Sequence, residues 1–382
     1  MRLAILNSNL VQISSTTKKG SEIFDYILIT NLAKVAKKHN ITITAFASGN
    51  SRLPVKIESV NYYSSGEDKQ ITNQGHTIFE LALISKAFSQ QEKFDLYHVN
   101  YGNGEVIFPF ARFVKKPILV TMHGSLDEIY SQKYFALFKD LKNIFFVSIS
   151  NSQRKAMPNL NYVETIYHGI DTKKNFQFNP VGDSYLLWTG RAIPEKGLDI
   201  VLQVIRKTKK KAKIFPILKE EYFQWLREVI IKRRNIINQA VSIYTDFDIH
   251  RYDLVSQYQH SKLFLSPILF EEPFGLTLIE SMACGTPVVA YARGSVPEII
   301  RDGVTGFIVN PSDDDIRGDW IIKKTGIEGL CEAVERLYAM PENQYREMRL
   351  NCRSHVEQNF TVEKMISEYE KVYQKVLERY KK

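Results

Sequence analysis

Two glutamates in the stretch FEEPFGLTLIESMACGTPVVA, Glu272 and Glu280, stand with seven residues between them on either side of a Pro-Phe-Gly turn. KLFLSP reads as a strand, ILFEEPF as the loop at its carboxyl end, and GLTLIESMAC as a helix stopped by Gly285 and Pro287. VVAY is the next strand, so the whole is a βαβ unit whose ligand side is that loop. The turn after Phe274 leaves the amides of Gly275, Leu276 and Thr277 unpaired at the helix start, an anion site that Gly275 opens to close backbone approach. Glu280 follows Leu276 and Thr277 by about one helical turn, on the same face. A carboxylate there repels phosphate but accepts hydrogen bonds from vicinal hydroxyls, as acids do for ribose in dinucleotide folds. Glu272, in the loop, is free for hydroxyls hanging from the phosphate; Glu271 is the alternative acid, and a plain helix-solvating role is the alternative for Glu280. Ribose, phosphate and polyol in one line describe a nucleotide sugar.

A second element supplies cations. YLLWTGRAIPEKGLDI places Arg191 just past a strand and Lys196 just before the Gly197 that opens a helix, positions that converge on a diphosphate. The Walker spacing is missing, and no strand is followed by Gly-x-Gly-x-x-Gly; YGNGEVI offers only a loop turn. Nicotinamide and P-loop chemistry are therefore not expected. Asp313 to Asp315 follow VNPS and are expected to cap a helix. The basic run RKTKKKAK ends a predicted helix, where it suits the dipole and stays solvated, rather than marking a nucleic-acid site.

The elements that must hold these residues alternate. RLAILNS, ITITAFASG, FDLYHVN, PILVTMHG and NIFFVSIS are short strands, and SEIFDYILITNLAKVAKKH repeats apolar residues at helical spacing. Strand and helix in turn imply a doubly wound parallel sheet. Asp171 to Ser184, rich in charge, Asn, Pro and Gly, reads as a linker, after which YLLWTG, a helix and AKIFPIL restart the pattern. With 382 residues, 44% of them hydrophobic, the chain has room for two such domains around a crevice. No run is long enough for a membrane span, MRLAILNSNL lacks a signal-peptide pattern, and Cys284, Cys331 and Cys352 have neither metal spacing nor an even count. A cytoplasmic protein is expected. Of the net charge of +9, residues 1–180 carry +7, which suggests an anionic partner there or a solubilising surface. Lys133 to Phe146, KYFALFKDLKNIFF, mixes lysines with aromatics, as a core helix or a segment at the membrane face would.

Taken together, GRAIPEKGLD, EEPFGLTLIESMACGTPVVA and GSVPEIIRDGVTGFIV resemble the retaining glycosyltransferases of family 4, with their Glu-x7-Glu motif and GT-B fold. The resemblance extends to the first helix region, to PILVTMHG and to YHGIDT. It implies an acceptor-binding domain over 1–175, a donor domain over 176–359, and a C-terminal helix, about 360–382, packing back onto the first. Arg191 and Lys196 would neutralise the donor diphosphate, Glu280 would hold ribose, and Glu272 with the amides from Phe274 to Thr277 would hold the sugar and distal phosphate. His123, with Gly124 beside it, would face the transferred sugar. Lys19 and Gly20 lie on the acceptor side, where relatives often carry Gly-Gly, and AKIFPILKEEYF lacks their Ala-Gly turn near the base. The expected reaction moves a hexose-type unit to a glycan, glycolipid or small-molecule acceptor with retention, without metal or cofactor. An epimerase, a phosphorylase and a non-catalytic sugar-nucleotide-binding module are the rivals.

Overall fold

Leu3 and Ile5 enter one hydrophobic core while Ala4 and Leu6, between them, enter another. That two-residue alternation, with both faces covered, is what a parallel sheet between helices requires. In the computed structural model, residues 1–17, 19–71, 73–233, 241–243 and 251–381 are described. They form two units, Met1–Gly169 with Val362–Lys382, and Ile170–Thr361.

The first unit holds a parallel sheet of seven strands in the order β3-β2-β1-β4-β5-β6-β7. These are β1 (Arg2–Leu6), β2 (Thr42–Phe46), β3 (Lys56–Glu58), β4 (Leu96–Val99), β5 (Ile118–Thr121), β6 (Ile144–Ser148) and β7 (Tyr162–Thr165). The helices Gly20–Ala36 and Val362–Lys381 share one face of it with Leu96, Leu119 and Phe145. On the other face Phe88, Phe108 and Phe135 pack against Tyr97, Val120 and Phe146. The second unit has six parallel strands in the order β10-β9-β8-β11-β12-β13. They are β8 (Leu186–Arg191), β9 (Ala212–Ile217), β10 (Val241–Ile243), β11 (Leu263–Ser266), β12 (Val288–Tyr291) and β13 (Gly306–Val309). The doubly wound GT-B class expected from the sequence is the fold observed.

Strand order reverses between β1 and β4 in the first sheet and between β8 and β11 in the second. Loops leaving such a pair diverge to opposite faces and open a crevice at the carboxyl ends, where ligands of open α/β sheets bind. The two loops singled out by their chemistry, after β8 and after β11, flank the second of these points.

The stretch Asp171 to Ser184, expected as a linker, belongs to the second unit instead. That unit starts at Ile170, whose amide donates to the Phe360 carbonyl. The Asp171 carboxylate accepts from the amides of Lys173 and Lys174, Phe176 is buried, and Arg353 donates to the carbonyls of Thr172 and Phe176. Charge and Pro/Gly content signalled irregular backbone; the arginines make that backbone part of a core. The chain returns to the first unit at Val362, the first residue of the C-terminal helix expected from about 360; Lys382 lies outside the described residues. No helix among the described residues is long and apolar enough to cross a membrane.

Arg349 is the polar centre of the second unit. Fully buried, it donates to the carbonyls of Asn179, Gln259, Ser261 and Cys284, joining the incoming segment to the ends of two helices. Arg349→Met keeps the aliphatic stem but strands those carbonyls, each costing ~1–3 kcal/mol when buried and unpaired. Urea unfolding is expected to show a loss of at least ~3 kcal/mol, whereas Arg346→Met, on the exposed face of the same helix, is expected to change little.

Candidate active site

The loop after β8 is a 3-10 turn, Pro194–Lys196, ending at Gly197 with φ 74°. A Cβ on Gly197 would lie 2.1 Å from the Pro267 carbonyl oxygen, so this position requires glycine both for its backbone angle and for close approach to the end of β11. The two loops are then tied: the Leu269 amide donates to the Glu195 carbonyl at 2.9 Å. Lys196 Nζ reaches Glu272 Oε2 at 2.7 Å and sits 4.7 Å from the centre of the Phe270 ring. Both partners are largely sequestered from water, with side chains 19% and 12% exposed. Arg191, at the end of β8, is exposed and makes no ion pair among the described residues.

The acid loop is clamped from its far side. Gly294 has φ 56°, and a Cβ there would overlap the Glu272 backbone at 2.2 Å. The Ser295 amide donates to the Glu272 carbonyl at 2.9 Å and the Ser295 hydroxyl to the Phe274 carbonyl at 2.6 Å. Glu271, the alternative acid, is engaged in this clamp: it accepts from the Gly294 amide at 2.7 Å and pairs with Arg293 and Arg317. Asp315 completes the cluster through the same two arginines, and Arg317 holds its carboxyl below the usual range. Asp313 to Asp315 therefore cap no helix, contrary to expectation; they form a turn bridged between Ser312 and Asp315. The clamp residues were missed, since their work is done by backbone contacts that residue type does not announce.

The helix Leu276–Ala283 starts at Gly275, φ 88°, with Phe274 buried beneath it. Its first amides have no partner inside the helix and point along its axis toward the loop. Glu280 is buried and already engaged: Arg251 Nε donates to it at 2.5 Å and the Tyr258 hydroxyl at 3.4 Å. Neither partner was foreseen from residue type or spacing. A carboxylate has about four acceptor directions, so room remains for hydroxyl donors. Arg251 also offsets the acid's charge. The basic run at 206–213 ends the helix Leu198–Thr208 and stays largely exposed, as expected, with Lys207 and Lys210 paired to Glu328 and Glu335 at the surface.

In the first unit, His123 follows β5, its amide donating to the Gly102 carbonyl. Gly124 donates its amide to Asn103 Oδ1 at 2.8 Å, and Gln153 grips the Met122 and Gly124 carbonyls. The His123 ring lies 4.8 Å from Phe24 and 5.6 Å from His168, and its Nε2 is buried without a hydrogen-bond partner among the described residues. Burial pushes its pKa down to about 3, so the ring is neutral at pH 7. Lys19 and Gly20 stand exposed at the start of the helix Gly20–Ala36, and nothing lies within 4 Å of a Cβ placed on Gly20. Behind them the carboxyl edge is acidic. Asp25 is fully buried beside Asn100, and burial with nearby Glu22 holds its carboxyl well above the usual range. Glu80, buried, accepts from Ser8 Oγ and the Asn9 amide. The excess positive charge of this half therefore does not gather at this edge.

Residues 170–335 match the family model described as Glycosyl transferases group 1. N-acetyl-alpha-D-glucosaminyl L-malate synthase of Bacillus anthracis is 24% identical over 379 residues, 91% of this chain and 93% of its own. A D-inositol 3-phosphate glycosyltransferase of Mycobacterium sp. (strain KMS) is 49% identical over 70 residues, which span 18% of this chain and 15% of that enzyme. Among solved structures, sucrose-phosphate synthase from Thermosynechococcus elongatus superposes with a TM-score of 0.74 at 17% identity, covering 98% of each chain. Anabaena Alr3699/HepE in complex with UDP and glucose gives 0.73 at 17% identity, covering 98% of this chain and 100% of that one.

Burial raises the Glu80 carboxyl to about 7, only partly offset by Ser8 and Asn9. Its folded pKa lies above the unfolded value, so the protonated acid favours the fold below that unfolded value and the advantage is lost as pH rises through 7. Glu80→Gln keeps an acceptor for both donors and never ionises. Thermal melts are expected to show the variant level with wild type near pH 4 and more stable at pH 8 by ~4 °C or more.

Proposed function

Because the chain is a glycosyltransferase of GT-B fold, we propose that it moves a hexose-type sugar from a nucleotide diphosphate sugar to a hydroxyl acceptor with retention, as family 4 enzymes do. The observation that carries this reading is the Lys196–Glu272 contact at the β8/β11 reversal, with Arg191 at the end of the neighbouring strand. A cation for a diphosphate and an acid for sugar hydroxyls are held side by side. Similarity to an N-acetyl-alpha-D-glucosaminyl L-malate synthase and a D-inositol 3-phosphate glycosyltransferase, and to a structure in complex with UDP-glucose, supports a nucleotide sugar as donor.

In the proposed reaction the bond from the anomeric carbon to the diphosphate oxygen breaks first, giving an oxocarbenium-like state. Arg191, Lys196 and the amides from Gly275 to Thr277 take up the charge developing on the leaving oxygen. The acceptor hydroxyl adds to the same face of the sugar, and its proton passes to the departing phosphate oxygen. Glu280 orients the ribose, and Glu272, released as Lys196 turns to phosphate, accepts from sugar hydroxyls. We assign acceptor recognition to the carboxyl edge of the first sheet, near Lys19, Gly20 and Gly124, with neutral His123 as a hydrogen-bonding group for a sugar hydroxyl. A glycan, glycolipid or small-molecule acceptor in the cytoplasm fits this assignment. A thermal-shift panel of nucleotide diphosphates and their sugars, followed by release assays with the best binder, tests the donor class. Binding without turnover toward any hydroxyl acceptor or water would favour a non-catalytic module.

Arg191→Ala and Lys196→Ala are each expected to lower turnover roughly a hundredfold or more with the fold intact. Wild-type rates in both would remove these residues from the leaving-group site. The two acids separate by ligand: Glu280→Gln is expected to weaken the bare nucleotide diphosphate, and Glu272→Gln to spare it while weakening the sugar donor. Calorimetry with both ligands decides, and the opposite pattern would exchange the roles.

A further inference from the structure

At the amino ends of β6 and β7, the edge of the first sheet opposite His123, a groove of about 820 Å³ opens beside the helix Ile129–Ala136. Its walls are apolar: Phe108, Phe135, Phe146, Met157 and Leu160 are among the side chains that line it. The volume is that of a typical small-ligand pocket. Lys139 and Lys142 also line it, both exposed, and no acidic residue does. Along the same helix and its exit, Ile129, Tyr130 and Leu137 are each about two-thirds exposed, at 69%, 67% and 68%. The aromatics of Lys133 to Phe146 thus divide: Phe135 and Phe146 belong to the core, while the lysines and Leu137 face solvent.

A groove floored by Phe108, Phe135, Phe146 and Met157, with polar groups only at part of its rim, favours an apolar occupant. The paired lysines and the absence of acids call for a negative charge at one end of that occupant. We propose that the groove takes one acyl chain of an anionic phospholipid, with its phosphate on Lys139 and Lys142, and so docks the first unit on an anionic bilayer. A single chain holds a protein to a membrane only marginally, and a second signal is needed for a stable contact. Here the lysines supply it. Within the first sheet, the groove lies at the amino ends of the strands and His123 at the carboxyl ends.

The test is sedimentation of the full chain with phosphatidylcholine vesicles made with and without phosphatidylglycerol, at low and physiological salt. Binding is expected only with phosphatidylglycerol, weaker at the higher salt. Replacing Lys139 and Lys142 by Gln is expected to lower partitioning by about fivefold for each lysine. Ala156→Phe, which fills the groove without altering charge, is expected to lose most of the binding while its thermal melt and UDP affinity stay those of wild type. Equal binding to both vesicle types, or none at low salt, overturns the proposal. So does wild-type binding by a folded Ala156→Phe protein, which would leave a surface charge effect without an acyl site.

Discussion

Lys196 and Glu272 are separated by 75 residues in sequence and by 2.7 Å in space, and the geometry of the second unit's site follows from what brings them together. Gly197 lets the loop after β8 lie on the Pro267 carbonyl, and Gly294 lets the loop after β11 lie against the β12 exit. Neither contact leaves room for a Cβ. Each loop is thus pressed against neighbouring backbone, and with Glu271 fixing the acid loop the side chains of Lys196 and Glu272 are left to face each other. The pair is partly sheltered, where breaking it without a replacement leaves a charge poorly solvated. A phosphate arriving at Lys196 is such a replacement, and hydroxyls arriving at Glu272 are another. One ligand carrying both groups satisfies the two partners at once.

The same economy governs Glu280. A buried carboxylate near a diphosphate would repel it, yet Arg251 and Tyr258 hold the acid in place and offset its charge. In the proposed reaction, its remaining acceptor directions then take ribose hydroxyls without penalty to the phosphate. Glu271 shows the contrast: next in sequence to Glu272, it is consumed by Gly294, Arg293 and Arg317 and fixes the loop instead of facing a ligand. Two adjacent glutamates therefore divide the labour, one building the site and one occupying it.

Much of this was legible from residue types. Apolar runs such as Leu3–Leu6 and Val288–Tyr291 announce buried parallel strands, and cations or acids at strand ends announce ligand loops. Less legible were features that depend on partners distant in sequence. Arg251 beside Glu280, Ser295 beneath Glu272, and Arg349 at the centre of four carbonyls carry no local signature. Asp171 to Ser184 misled because irregular composition describes a backbone path, not whether that path is packed. Asp313 to Asp315 misled for a related reason: Asp315 is taken up by Arg293 and Arg317, and Asp313 accepts from the Thr325 hydroxyl, partners that a local capping rule does not see.

The first unit adds a constraint of a different kind. Its sequence is basic, but the carboxyl edge of its sheet buries Asp25 and Glu80 as acids held toward their neutral forms, alongside a neutral His123. Acids shifted toward the protonated form and a neutral imidazole donate and accept hydrogen bonds while carrying less charge than the sequence implies. Of the lysines of this half, Lys19 stands exposed at that edge, whereas Lys139 and Lys142 line the apolar groove at the other. Net charge read from sequence averages over both edges of one sheet. Only the fold separates them, burying Asp25, Glu80 and His123 near the carboxyl ends of the strands and placing Lys139 and Lys142 beside apolar surface at the opposite edge.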